Sequence, residues 1–259
     1  MVILPKALSN RSDSLAQTYA KSITLGTGQF CTNPGLILAI KSADLDNFAA
    51  KLATNLQEIA PTPMLHPAIA GAYQSKKANA LAQDGLAVLS NYENEVADNY
   101  ARQAVTKVSG KDFLANSELH QEVFGPFSMI VECQSELELE SILSNLEGQL
   151  TGTIISDEGE ASDYEAVIAA LQNRVGRLIF NGVPTGVEVC PSMVHGGPYP
   201  ASTDSRFTAV GIHSIKRWVR PFSYQDWPNE LLPDALKNEN PLNISRLLNG
   251  VPSNQKIES

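Results

Sequence analysis

The run Phe127–Cys133, FSMIVEC, is followed by Ser135 and Glu138, the spacing at which a serine hydroxyl and a glutamate three residues on cap the start of a helix. Leu139, Ile142, Leu143 and Leu146 then fall on one helical face, and Gly148 closes the unit. The unit recurs. Thr151–Ile155 reads as the next strand, Ser162 and Glu165 repeat the capping pair, Val167, Ile168 and Leu171 face inward, and Arg177–Phe180 is the strand after that. Strands this uniformly apolar have no wet face, so both faces must be covered; strands alternating with helices run parallel. The chain is therefore expected to be an α/β protein, a three-layer αβα arrangement around a mostly parallel sheet.

The first half supplies more of the same pieces. Val2–Leu4 reads as a short strand, and Ser14 with Gln17 as a capping box opening a helix that turns Leu15, Tyr19 and Ile23 inward. Gly26 and Gly28 stop that helix, and Gly35–Ile40 is a buried strand. A helix capped by Ser42 or Asp44 carries Leu45, Phe48, Ala49, Leu52, Leu56 and Ile59 on one stripe. Ala68–Gln83 is helical with Lys76 and Lys77 on its exposed side, and Leu86–Leu89 and Ala104–Val108 are strands joined by an acidic loop. After Asn181 a glycine- and proline-rich run is longer than ordinary connections, as functional or disordered loops are. From Trp218 the chain becomes aromatic and proline-interrupted. The expected division is a domain at 1–217 and a tail at 218–259.

A net charge of −9 argues against a large basic face for nucleic acid or an anionic membrane, so small molecules are the expected partners. No apolar run approaches the roughly 20 residues that span a bilayer, and MVILPKALSN is too short, and too soon broken by Pro5, for a signal peptide. A cytoplasmic location is the expectation. Three widely spaced cysteines, Cys31, Cys133 and Cys190, fit neither a disulfide framework nor a zinc knuckle, and no HxxxH or CxxC suggests a metal.

Two stretches carry candidate chemistry. In GTGQFCTNPG, Gly26-Thr27-Gly28 invites comparison with the dinucleotide fingerprint, yet a helix precedes and a strand follows, the reverse of the context that motif needs. Cys31 is then either a buried, inert thiol in a tight loop or a nucleophile presented by it. In HQEVFGPF, Glu122 is either a solvated turn carboxylate or an acceptor for a sugar's hydroxyls. His195, in VHGGPYP, either lines a substrate or cofactor tunnel or stabilises a turn.

Together, GQFCTNPG and QEVFGPF resemble the catalytic-cysteine and nicotinamide-side glutamate motifs of the aldehyde dehydrogenase superfamily. FCTNPG, NGVPTGVEV, HGGPYPASTD and SIKRWVRPFSYQDWP are similar to the branch holding NADP-preferring and α-ketoglutaric semialdehyde (2,5-dioxovalerate) dehydrogenases. The resemblance covers essentially the whole chain but only the C-terminal half of such an enzyme. It implies that Cys31 attacks an aldehyde to give a thiohemiacetal, that oxidation by NADP or NAD leaves a thioester, and that Glu122 holds the nicotinamide ribose beside Phe124. Asn33, Pro34 and His195 would line the aldehyde pocket, and the tail would join an oligomerisation sheet of a homo-oligomer.

In the family's order, Val2-Ile3-Leu4-Pro5 follows the strand bearing the general-base glutamate, so that base, the oxyanion-hole asparagine and the nucleotide-binding domain are expected before residue 1. The chain alone is then expected to bind NAD(P) poorly and turn over little. Its rivals are a cofactor-independent cysteine esterase or thioesterase and a non-catalytic interaction module.

Overall fold

The computed structural model describes residues 1–258. By internal contacts the chain divides into two compact units, Met1–Arg217 and Trp218–Ser259. In the first, seven strands form one sheet: β1 Val2–Ile3, β2 Leu36–Ile40, β3 Ala87–Asn91, β4 Ala104–Ser109, β5 Phe127–Cys133, β6 Gln149–Ile155 and β7 Val175–Phe180. Their order across the sheet is β3-β4-β5-β2-β1-β6-β7. Every pairing is parallel except β3 with β4, which run antiparallel at one edge. The helices are α1 Pro5–Thr24, α2 Ala43–Glu58, α3 Pro67–Leu81, α4 Gly110–Ala115, α5 Glu136–Asn145 and α6 Glu165–Gln172.

The period-2 alternation of strand side chains sorts the core into two layers. Ile3, Ile37, Ala39, Ile130 and Ile155 meet Leu8, Tyr19, Ile23, Phe48 and Leu52 of α1 and α2 on one face. Val2, Leu38, Met129, Val131 and Ile154 meet Tyr73, Phe113, Leu139, Ile142 and Leu171 of α3 to α6 on the other. The continuous apolar runs therefore meant what they implied: β1, β2, β4, β5 and β6 each contribute to both layers of an αβα sandwich.

Several element boundaries differ from the sequence expectation. The first helix begins at Pro5, nine residues before Ser14, with proline at the first helical position where a missing N–H costs nothing. Ser14 lies inside it, its hydroxyl donating to the Arg11 carbonyl, next to a kink at Arg11 where φ is −133°. Ser162 does not cap α6; it lies in a short 3₁₀ turn, Ala161–Tyr164, and donates to the Gly159 carbonyl. Ser42 and Ser135 do cap α2 and α5, accepting from the Leu45 and Glu138 amides. Lys77 is buried rather than exposed, because α3 packs that side over the β3–β4 edge.

The start of α1 lacks a cap of its own, and a distant carboxylate supplies one. Glu160, 1% exposed, accepts from the Lys6 amide at 2.6 Å and the Ala7 amide at 3.3 Å, and also from the Asp157 amide at 3.0 Å. An anion at a helix N-terminus satisfies orphan donors and the helix dipole together. Glu160→Ala is expected to lower unfolding stability by about 3 kcal/mol, the scale for buried hydrogen bonds to a charged group. A urea midpoint within experimental error of the unmodified chain would refute the cap.

The second unit holds an antiparallel hairpin, β8 Arg246–Leu248 and β9 Val251–Ser253. Its two turn residues, Asn249 and Gly250, both have positive φ, 50° and 84°, as a type I′ turn requires. Asn240 pins the hairpin's ends by donating to the Ile244 and Asn254 carbonyls. Among the described residues, no helix is long and apolar enough to cross a membrane.

Candidate active site

Cys31 follows a helix that is stopped three times over. After α1, the 3₁₀ turn Leu25–Gly28 places Gly26, Thr27 and Gly28 at φ 54°, 59° and 66°. Glycine adopts the left-handed region freely, but a β-branched threonine does not. Thr27 is held there by burial and by its hydroxyl, which meets the Thr62 hydroxyl at 2.6 Å and donates to the Pro63 carbonyl at 3.2 Å. This fixes the point from which the Cys31 loop departs.

The loop itself is anchored just after the thiol. Thr32 is buried and donates to the Pro184 carbonyl at 2.7 Å, while the Asn33 amide and the Gly35 amide close turns onto Phe30 and Asn33. Immediately before those anchors Cys31 is exposed, whereas Cys133 on β5 is fully buried and Cys190 is half-buried. Burial, aided by Glu138 and Glu132, pushes the Cys133 thiol up to about 12.

Glu122 lies in the loop before β5 as Cys31 lies in the loop before β2. Because β2 and β5 are parallel neighbours, with Leu36 opposite Met129, both loops emerge at the same edge of the sheet. They are also fastened together. Asn33 Nδ2 donates to the Gly125 carbonyl at 3.1 Å, and the buried Ser128 hydroxyl donates to the Pro34 carbonyl at 2.8 Å. Gly28 and Gly125 touch so closely that a Cβ on Gly28 would lie 2.2 Å from the Gly125 carbonyl carbon. Behind them Tyr73 closes the stack, donating from its hydroxyl to the Arg102 carbonyl at 2.7 Å, and Lys76 Nζ donates to the Glu122 carbonyl at 3.2 Å.

Cys31, Asn33, Pro34, Glu122 and Phe124 all line one cleft of about 480 Å³. Glu122 is exposed, and among the described residues its carboxylate makes no hydrogen bond or ion pair. His195 does not line it. Its backbone lies across from Thr208 and Ala209, its ring Nδ1 is buried without a partner, and burial together with Arg177 lowers its proton affinity. The sequence reading passed over Thr32, Tyr73 and the Gly28–Gly125 contact. The glycine before Pro126 carried a signal for the last of these, since glycine marks close backbone approach.

No protein-family model matches the chain. Over 250 residues, 96% of this chain, it is 42% identical to alpha-ketoglutaric semialdehyde dehydrogenase 2 of Azospirillum brasilense. Over 252 residues, 97% of the chain, it is 40% identical to the alpha-ketoglutaric semialdehyde dehydrogenase of Acinetobacter baylyi. The chain is related to the aldehyde dehydrogenases. It spans about half the length of the curated relatives it matches, 48% of each. The fold agrees with that of solved aldehyde dehydrogenases: the NAD complex of a Sinorhizobium meliloti protein assigned as a methylmalonate-semialdehyde dehydrogenase superposes with a TM-score of 0.69, at 17% identity, over 88% of this chain and 47% of that one. The aldehyde dehydrogenase likeness thus extends over both motif loops and the sheet that carries them.

Proposed function

We propose that this chain is the catalytic-cysteine portion of an NAD(P)-dependent aldehyde dehydrogenase acting on a semialdehyde such as 2,5-dioxovalerate. The observation that carries the reading is an exposed Cys31 sharing one cleft with a free Glu122 carboxylate. In it, the Cys31 thiolate attacks the aldehyde carbon, a C–S bond forms, and the carbonyl oxygen takes the negative charge beside the loop's backbone amides. The anchors at Thr32 and Asn33 hold the sulfur in the cleft while the carbon changes from trigonal to tetrahedral.

The cofactor fits the residues present. An exposed carboxylate on the cleft's lining, without a protein partner among the described residues, can accept from both hydroxyls of a ribose, and half-buried Phe124 offers a flat apolar neighbour. When bound, NAD(P) supplies the hydride acceptor. Cys31 carries the acyl group as a thioester until water releases the carboxylate. Residues 1–217 are assigned as the catalytic domain and 218–259 as an oligomerisation-type segment.

The test is acyl transfer to the thiol. With nitrophenyl acetate, the folded chain is expected to release a burst of about one nitrophenolate per chain and to carry acetyl on the Cys31 peptide by mass spectrometry, both lost in Cys31→Ala. Acetyl on Cys190 alone, or on no cysteine, would remove the nucleophile. Continuous ester turnover indifferent to NADP would instead favour a cofactor-independent cysteine esterase.

A further inference from the structure

A second recess, of about 370 Å³, opens beside α3 and the β3–β4 edge, lined by Gln74, Lys77, Asn91, Tyr92, Glu93 and Arg102. Lys77 is 6% exposed. Its ammonium donates to Asn91 Oδ1 at 3.2 Å and to the Arg102 carbonyl at 3.0 Å, and lies 5.4 Å from the centre of the Tyr73 ring. These partners are neutral. Among the described residues Lys77 forms no ion pair, and neither does Arg102, whose Nε is buried without an acceptor.

Two cations thus share one recess without an ion pair to either, with the exposed Glu93 carboxylate also on its lining. A buried ammonium without a counter-charge is costly, and a neighbouring guanidinium raises that cost. Burial and the charge of Arg102 accordingly lower Lys77 to about 8. The other titratable groups around it are Tyr73, Tyr92 and Glu93; Glu93 is exposed and pairs with neither cation. Lys76, its neighbour in sequence, points instead to the Cys31 cleft.

A guanidinium with open donors can take two oxygens of a tetrahedral anion side by side, and an ammonium can take a third as a compact charge. We propose that the Lys77–Arg102 recess binds a phosphate group, as the free dianion or as the end of a small phosphomonoester. The site is separate from the chemistry at Cys31 and does not depend on the dehydrogenase reading.

The full chain would be titrated with inorganic phosphate and, in parallel, with phenyl phosphate, while the Asn91 side-chain amide, the Arg102 Nε–H and the Lys77 ammonium are followed by NMR. Saturable shifts at all three groups are expected, with the Lys77 titration moving upward on binding. Lys77→Met and Arg102→Gln should each weaken binding about tenfold or more, and Lys76→Gln should leave it unchanged. Circular dichroism separates loss of the site from loss of fold, and Arg102→Gln leaves the buried α3 contact intact if Lys77→Met unfolds. Saturation by both probes indicates that the phosphate group alone suffices; saturation by phenyl phosphate only indicates the phosphomonoester. No saturable shift with either probe up to about 10 mM, shifts confined to the Cys31 cleft, or an affinity in both variants as high as in the unmodified chain would overturn the proposal.

Discussion

Iodoacetamide is expected to alkylate Cys31 in the folded chain at roughly the rate of a free peptide thiol, and Cys133 about a thousandfold more slowly. Cys133 is fully buried on β5 and its thiol is pushed up to about 12, so near pH 8 its thiolate is about 10⁻⁴ of the population, against about a quarter for an ordinary thiol. Cys31 is exposed immediately before two anchored residues, Thr32 and Asn33. Peptide mapping distinguishes it from Cys190, which is half-buried with its sulfur 3.5 Å from the Ser192 hydroxyl. In Cys31→Ala the fast label should vanish from residues 29–35, and Cys133 should react rapidly only once the chain is unfolded. A Cys31 that stays unlabelled while a peptide thiol reacts would mean that the loop shields its sulfur, and the nucleophile would have to be abandoned.

Gly28→Ala should strongly destabilise the fold. At φ 66° an alanine pays the left-handed penalty, and its Cβ would lie 2.2 Å from the Gly125 carbonyl carbon and 2.5 Å from the Pro126 nitrogen. Gly125 cannot withdraw, because its own backbone lies against the Tyr73 ring, where a Cβ would come within 2.3 Å, and Tyr73 is tied to the Arg102 carbonyl. Backbone strain and overpacking together predict a loss of about 3 kcal/mol. The matched control is Gly35→Ala, where a Cβ meets nothing within 4 Å, and its effect should stay within about 0.5 kcal/mol. The same change should spread the two loops, so Cys31 alkylation should shift in Gly28→Ala and not in Gly35→Ala. Equal urea midpoints for the two variants would show that the loops are not locked through this contact.

The layered fold was legible because it rests on local periodicity. Phe127–Cys133 and Gly35–Ile40 are apolar on both faces, and that pattern has few solutions other than a covered parallel sheet. Boundaries that depend on distant partners were not legible. The first helix starts at Pro5 because Glu160, far along the chain, caps it; the serine that looked like its cap is an interior residue. Lys77 looked exposed because it follows Lys76 in a polar stretch, and only the packing of α3 over Arg102 shows that it is buried.

The sequence by itself determined that Cys31 sits in a loop between a broken helix and a buried strand, and that Glu122 sits in another loop before a second such strand. Hydrophobic period, glycine and proline act within a few residues, so these features could be read directly. What only the tertiary structure decided is that the two loops meet. That follows from the parallel pairing of β2 with β5, from the Gly28–Gly125 contact and from the Asn33 bridge, each a relation between residues far apart in the chain. It also decided that His195 is not among the residues lining the cleft, because a glycine-rich loop carries no periodicity that fixes where its side chains go.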